Sequence, residues 1–255
     1  MRSASIGQDI GQAHELLLTS AYTVALTGAG ISTPSGIPDF RSPSSGLWNR
    51  SDPLMVASIW AFRDSPESFY RWLLPLARSV ARARPNPGHL ALAELEQRGL
   101  LRAVITQNVD GLHQKAGSGR VIEMHGHTRT ATCLNCLETW PTEPFWPRFL
   151  ADGKVPRCPH CRAILKPDVV LFGEPLPYEA MAEAQAEALR CDLMLVLGSS
   201  LEVMPASDLP FLARRRGARL IIVNYTPTPA DDIADLVFRT DVAQLLPPLA
   251  AMHAP

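Results

Sequence analysis

Five short runs in this chain are largely apolar, and each breaks without transition into a polar segment. Residues 22–27 end in Gly28-Ala29-Gly30-Ile31-Ser32, and residues 101–106 end in Gln107-Asn108-Val109-Asp110-Gly111. Residues 121–123 run into Met124-His125-Gly126, residues 192–197 into Gly198-Ser199-Ser200, and residues 219–223 into Asn224. A strand with one face in water alternates apolar and polar side chains, so a run that does not alternate is covered on both faces. Helical patterns separate the runs. One is amphipathic through Ile10, Ala13 and Leu17, and a longer one over about 66–98 is broken by Pro85-Asn86-Pro87-Gly88. Others follow at 179–190 and 206–216, and a terminal helix carrying Leu245, Leu246 and Leu249 comes after a last strand near Val237. Sheets of this kind bind ligands beyond the carboxyl ends of their strands. Each polar segment sits at such an end, so one site assembled from five strand ends is the economical reading.

The stretch 127–168 departs from the pattern: apolar periodicity is poor, Pro and aromatic residues cluster, and two C-x-x-C pairs fall there, Cys133/Cys136 and Cys158/Cys161. Four thiolates in two knuckles suit a tetrahedral structural zinc site with no open position for water. His160, between two of the ligands, reads as a bystander, His113 and His127 as structural, and Cys191 as a buried thiol. The expected fold class is therefore α/β, a Rossmann-like, mostly parallel sheet with helices on both faces plus a small zinc-binding insert. The expected organisation is a Rossmann-like domain over 1–126 and 169–255, with a helical insertion at about 42–100, and a zinc-ribbon module over 127–168.

Composition narrows the function classes. Hydrophobic residues make up 46% and charged residues 19%, as in ordinary globular chains, which excludes wholesale disorder. The 24 basic and 25 acidic side chains leave a net charge of -1, and basic residues barely outnumber acidic ones in the cysteine-bearing stretch. A zinc ribbon that tracks phosphates needs many cationic contacts, so no nucleic-acid partner is expected. No apolar run approaches the roughly 18 residues that cross a bilayer, and the first twenty residues lack the apolar centre of a signal peptide. No membrane association and a cytoplasmic location are the expectations.

Gly28-Ala29-Gly30 after a buried run allows two readings: a tight turn, or a backbone that approaches a pyrophosphate closely. The segment departs from G-x-G-x-x-G, with Thr33 at the third glycine position and Pro34 after it, which argues against an ordinary dehydrogenase fingerprint. A lone histidine after a strand, such as His125, is more often structural than catalytic.

The string as a whole resembles the sirtuin family of NAD-dependent protein lysine deacylases. GAGIS, then GIPDFR at 36–41, TQNVDGLH at 106–113, the MHG containing His125, the paired C-x-x-C motifs, PDVVLFGE at 167–174, LGSS and IVN occur together in this order. The resemblance spans about residues 16–246, and the bacterial and archaeal branch matches best. It implies that NAD is a co-substrate: the nicotinamide–ribose bond breaks, the acyl oxygen of a modified lysine attacks the exposed sugar carbon, and a histidine matching His125 acts as base. Imidazole titrates near neutral pH, where a proton acceptor works best. Free lysine, nicotinamide and O-acyl-ADP-ribose result.

The resemblance further implies that Asn108, taken with His125 as catalytic, and Asp110 lie beside the ribose and the nicotinamide carboxamide, and that Gln107 bonds the ribose. Gly28, Ala29 and Gly30 would face the pyrophosphate. Ile37, Asp39 and Arg41 would lie on a loop that orders over NAD, and Phe40 would screen the reactive sugar carbon from water. Gly198, Ser199, Ser200, Asn224 and Val242 match positions lining the adenosine half. The partner would be an acylated lysine in an extended segment, paired as a strand between Gly173-Glu174-Pro175 and Leu201-Glu202-Val203. Val169, Val170 and Phe172 would line the acyl-lysine tunnel. Branches that prefer succinyl or malonyl groups carry Tyr-x-x-Arg, whereas here Tyr70 is followed three positions on by Leu73. Neutral acyl groups, acetyl first, are therefore expected. Protein ADP-ribosyl transfer and NAD hydrolysis share the first half of the chemistry and are the alternative.

Overall fold

The computed structural model describes residues 2–40, 46–49 and 51–251, with side chains from residue 9 onward. Among them the strands are β1 Thr23–Thr27, β2 Ala103–Thr106, β3 Val121–Glu123, β4 Gly126–Cys133, β5 Thr139–Pro141, β6 Leu165–Val169, β7 Leu193–Leu197, β8 Arg219–Val223 and β9 Leu236–Phe238. The α-helices are α1 Arg2–Thr19, α2 Pro53–Val56, α3 Ile59–Asp64, α4 Pro66–Arg82, α5 Pro87–Gln97, α6 Leu112–Ala116, α7 Trp146–Asp152, α8 Tyr178–Arg190, α9 Leu209–Arg215 and α10 Val242–Ala251. No helix among the described residues is long and apolar enough to cross a membrane.

The chain divides into two compact units, the first formed by Met1–Ser35, Arg84–Met124 and Tyr178–Pro255, the second by Gly36–Ala83 and His125–Pro177. Unit 1 holds a six-stranded sheet in the order β3-β2-β1-β7-β8-β9. Every pairing in it is parallel, with Thr27 level with Thr106 and Leu197, and Leu197 level with Val223. Numbered within the sheet this is the doubly wound order 3-2-1-4-5-6, which reverses direction between β1 and β7. β1, β2 and β7 are buried at every position, which is what their unalternated apolar sequences require. One core cluster joins Ala25, Val104, Leu195 and Ile221 of the sheet to Leu17 of α1, Leu92 and Leu95 of α5, and Leu245 and Leu249 of α10.

Unit 2 holds an antiparallel sheet in the order β5-β4-β6 and a helical layer. Phe62 of α3, Phe69, Tyr70 and Ala77 of α4, Phe149 of α7, and Leu171 form its buried aromatic cluster. The division differs from the expected one. The helical stretch is split at Pro85-Asn86-Pro87: α2 to α4 belong with the cysteine-bearing segment, and only α5 belongs with the parallel sheet. The two prolines account for the break. Asn86, held extended (φ -93°, ψ 173°) ahead of Pro87, caps α5 through its side chain, and His89 returns the bond to complete a capping box. The aromatic residues of α3 and α4 find an apolar partner in Phe149 of α7, so this part of the helical insertion packs with the cysteine-bearing segment, while α5 packs with the parallel sheet.

Candidate functional site

The reversal point of the sheet is where the glycine-rich ends of β1 and β7 meet. Gly28 N–H donates to Leu197 O at 3.0 Å and Gly30 N–H to Gly198 O at 2.8 Å. A Cβ on Gly28 would lie 2.7 Å from Gly198 O, one on Gly30 would lie 2.8 Å from Gly198 Cα, and Gly198 itself has φ +60°. Glycine is required here so that the two backbones can touch, before any ligand is considered. After that turn the chain forms a 3₁₀ segment, Ala29–Ser35, which accommodates the Pro34 that a regular α-turn would not.

The end of β2 supplies the polar side chains. Gln107 Nε2 donates to Ser199 Oγ at 3.0 Å, and Asn108 Nδ2 donates to Gly28 O at 3.0 Å and Ser32 Oγ at 3.3 Å. Ser32 Oγ in turn donates to Asp110 Oδ2 at 2.7 Å, and Asp110 Oδ1 accepts the Leu112 N–H at 2.9 Å, fixing the start of α6. Gly28, Gly30, Gln107, Asn108, Asp110, Gly198 and Ser199 are thus brought together as the sequence led one to expect. Ser32 is the hub of the arrangement, and the sequence reading assigned it no role. Its signal was its place in the GAGIS string.

Beneath this layer lie two buried histidines. His89 Nε2 is 3.4 Å from Ser32 Oγ, His113 Nε2 is 3.0 Å from Thr27 Oγ1, and the two rings are 4.9 Å apart. Thr27 Oγ1 also donates to Thr106 Oγ1 at 2.8 Å, joining β1 to β2. Burial pushes His113 down to about 3, helped by the neighbouring His89. Burial likewise takes His89 down to about 4, opposed by the charge of Asp110. Both rings are therefore neutral at physiological pH, and His113 Nδ1 finds no hydrogen-bond partner among the described residues. His113, expected to be structural, is buried against Thr27 and His89. His89 was not singled out, although its place three residues into a helix that opens with Asn-Pro marked it as a capping residue.

The remaining residues of unit 1 are dispersed. Ala29 and Ser200 are half-buried at the same two strand ends. Asn224 Nδ2 is turned to Thr226 O at 2.9 Å, capping its own loop. Val242 is buried in the core cluster at the start of α10. Val203 is half-buried, and its carbonyl accepts the Ser207 N–H at 3.0 Å.

In unit 2, Ile37 is buried, Asp39 and Phe40 are half-buried, and Arg41 lies outside the described residues. Phe40 stacks on Trp48 with centroids 5.0 Å apart, and Trp48 meets Trp72 and Phe172, each at 6.0 Å. An aromatic wall thus joins the residue expected to screen the sugar to one expected to line the tunnel. His125 is half-buried, its carbonyl taking the Val170 N–H at 2.9 Å, and Val169 is the last residue of β6. Glu174 pairs with Lys166 Nζ at 2.9 Å and accepts the Leu171 N–H at 2.9 Å, while Gly173 is exposed. The Tyr70 hydroxyl donates to Leu165 O at 2.6 Å, and burial holds its pKa well above the usual phenol range.

The four cysteines converge at one end of this unit. Each pair sits in a knuckle of the same design. The Cys133 N–H bonds Glu138 O and the Leu137 N–H bonds Cys133 O; the Cys158 N–H bonds Ala163 O and the Arg162 N–H bonds Cys158 O. Leu137 and Arg162 take the same left-handed conformation, φ 64° and 66°. Sulfur–sulfur distances are 3.4 Å for Cys133–Cys161 and 3.6 Å for both Cys136–Cys158 and Cys136–Cys161, with no disulfide. A tetrahedron with Zn–S bonds of about 2.3 Å has edges of roughly 3.8 Å, so the set fits zinc held by four thiolates. His160 lies outside it, bonded to Glu138 at 2.8 Å. Cys191 is buried, and burial pushes its thiol up to about 12.

The model of the Sir2 family matches residues 28–205. The "NAD-dependent protein deacylase 2" of Archaeoglobus fulgidus is 47% identical over 243 residues, 94% of each chain. A solved structure described as "Structural Basis for the Mechanism and Regulation of Sir2 Enzymes" superposes with a TM-score of 0.91 at 46% identity, covering 95% of this chain and 96% of that one. Another, described as Sir2Tm bound to a propionylated peptide, gives a TM-score of 0.84 at 43% identity, covering 93% and 95%.

Proposed function

Because this chain belongs to the Sir2 family, we propose that it is an NAD-dependent protein lysine deacylase, with NAD as co-substrate and a structural zinc held by Cys133, Cys136, Cys158 and Cys161. The observation that carries this reading is the Asn108–Ser32–Asp110 chain of hydrogen bonds at the sheet's reversal point. It presents an amide and a carboxylate in fixed orientation where a doubly wound sheet takes a dinucleotide.

The steps are those that the family resemblance implies, placed on the residues of this chain. The interlocked ends at Gly28, Gly30 and Gly198 leave small-residue backbone for the pyrophosphate, and Gln107 and Ser199 offer polar groups to ribose. Asn108 and Asp110 orient the ribose and the carboxamide of nicotinamide. When the nicotinamide–ribose bond breaks, the sugar carbon is electron-poor, and the acyl oxygen of the bound lysine forms the new bond to it. His125 accepts the proton of a ribose hydroxyl as that hydroxyl attacks the imidate carbon. Collapse expels the lysine amine, which takes up the proton, and leaves a cyclic acyloxonium bridging two ribose oxygens; a water molecule then adds to its carbon and gives O-acyl-ADP-ribose. Phe40, braced by Trp48, keeps water from the sugar carbon. The zinc is a clasp: four thiolates leave it no position for substrate.

Neutral acyl groups are favoured. Leu73 stands where an acid-reading branch has arginine, and the Tyr70 hydroxyl is committed to the Leu165 carbonyl. The peptide enters as an extended strand beside Gly173 and Glu174, and four zinc-binding thiolates with one buried thiol suit a reducing cytoplasm.

Mass spectrometry of a reaction containing NAD and a panel of acetyl-, propionyl-, succinyl- and malonyl-lysine peptides tests the proposal. O-acetyl- and O-propionyl-ADP-ribose are expected, with little from the acidic acyl groups, and His125→Ala should form neither. Nicotinamide release that needs no acylated peptide would assign the chain to ADP-ribosyl transfer or NAD hydrolysis instead.

A further inference from the structure

Unit 2 exposes large apolar side chains in a place none of the roles above explains. Leu54, Met55 and Trp60 are 53%, 73% and 60% exposed. They line one groove of about 320 Å³ together with Asp64, Ser65 and Ser68. Clustered apolar side chains left in water mark a binding surface more often than single ones do.

The groove is continuous with the segment proposed to pair with the peptide. The Ile59 N–H donates to Phe172 O at 3.0 Å and the Phe172 N–H to Ala57 O at 2.9 Å, so the start of α3 is tied to this segment by a strand-like bridge. Trp60 follows directly. Gly173 has φ +88°, and a Cβ on it would fall within 2.8 Å of three carbons of the Trp60 ring. The indole therefore rests on bare backbone at the position where a paired peptide would run.

We infer that this groove receives a basic side chain of the substrate, an arginine or lysine within two positions of the acyl-lysine, with Trp60 as the specificity-determining residue. The inference rests on the deacylase reading above. In an extended peptide alternate side chains point to opposite sides, so when the acyl-lysine enters its tunnel a neighbouring side chain is carried over the flank of Gly173. A basic side chain matches what it meets there. Its aliphatic stem covers Leu54 and Met55, its cationic head lies over the indole, and Asp64 supplies the opposite charge in the same groove. An acidic side chain would face Asp64 and be repelled.

The test compares kcat/KM for acetyl-lysine peptides that carry Arg, Ala, Leu or Glu at each of the two positions on either side. At one position the Arg peptide should exceed the Ala peptide by roughly three- to tenfold, mostly through KM, with Glu below Ala. Trp60→Ala should bring the Arg:Ala ratio close to one, Trp60→Phe should keep part of it, and Asp64→Asn should lower it and lift the Glu peptide. A ratio unchanged by Trp60→Ala, or a preference for Leu over Arg, overturns the inference. So does a concentration-dependent dimer in light scattering that Trp60→Ala abolishes, since the occupant would then be a second copy. Failure of every peptide to react would instead overturn the deacylase reading, whereas deacylation without flank preference would overturn this inference alone.

Discussion

Unit 1 holds its candidate site residues with hydrogen bonds inside a layer of apolar strands, whereas unit 2 relies on sulfur ligands and stacked aromatic rings. In unit 1 each polar side chain at the reversal point leans on another: Asn108 on Ser32, Ser32 on Asp110, and Asp110 on the first turn of α6. Such a network is rigid while complete and costly when one member is lost. In unit 2 the small sheet and its helices enclose fewer apolar strands, and the cysteine knuckles close the module at one end. The difference teaches that a parallel sheet organises polar groups through main-chain order, while a small module needs a metal clasp to keep its loops in place.

The largest effect should come from the clasp. Structural zinc in small modules contributes on the order of 10 kcal/mol to folding, so a strong chelator or Cys133→Ser should unfold much of unit 2. All five tryptophans, at 48, 60, 72, 140 and 146, belong to that unit, which makes tryptophan emission its reporter. A red shift on chelation, with one zinc released per chain, is the expected outcome, and unchanged emission after complete zinc loss would break the contrast.

Acid should strike unit 1 through its histidines. His113 and His89, held at about 3 and about 4 in the folded protein, stay neutral there. The unfolded chain takes up protons below about pH 6.5. Stability from these groups is therefore complete above that pH and is lost as the pH falls toward 4. His113 alone accounts for roughly 3 kcal/mol by pH 4. Denaturant titrations followed by far-ultraviolet circular dichroism between pH 7.5 and 4.5 should show this decline. His113→Leu should flatten it, and an equally steep decline in that variant would remove the histidine from the account.

A smaller loss is expected from Ser32→Ala, which leaves Asp110 and Asn108 each short of a partner. The cost should be about 1–3 kcal/mol in stability, with a raised KM for NAD. A variant as stable as the parent would show that the network does not depend on its hub. The smallest effect should follow Tyr70→Phe, which removes the bond to the Leu165 carbonyl. A loss of about 1 kcal/mol is expected, with the acetyl-to-succinyl preference unchanged. A changed preference would mean that the hydroxyl reads the acyl group after all.

The same contrast governs how far the sequence could be read. β1, β2, β7 and β8 are found within a residue or two of their sequence limits, because an unbroken apolar run has few alternatives to a buried strand. The four cysteines were equally plain, since their spacing is itself the coordination chemistry. What the sequence left unseen is contact between distant segments. Phe62, Phe69 and Tyr70 belong to a long helical stretch that looks like an insertion into the sheet domain, yet their partners are Phe149 and Leu171, about a hundred residues later. Ser32 likewise lay inside a recognised motif, but its link to Asp110 spans 78 residues and depends on β1 and β2 lying side by side. Pairing rules within a strand or helix are local, and these contacts are not.

The proposed chemistry couples nicotinamide loss to the capture of the sugar carbon by an acyl oxygen, so the most direct test is stoichiometric. With NAD and an acetyl-lysine peptide, nicotinamide, deacetylated peptide and O-acetyl-ADP-ribose should form in equal amounts, and nicotinamide release should fall to background when the peptide is unmodified. Nicotinamide in large excess over deacetylated peptide, with free ADP-ribose as the main product, would contradict the account.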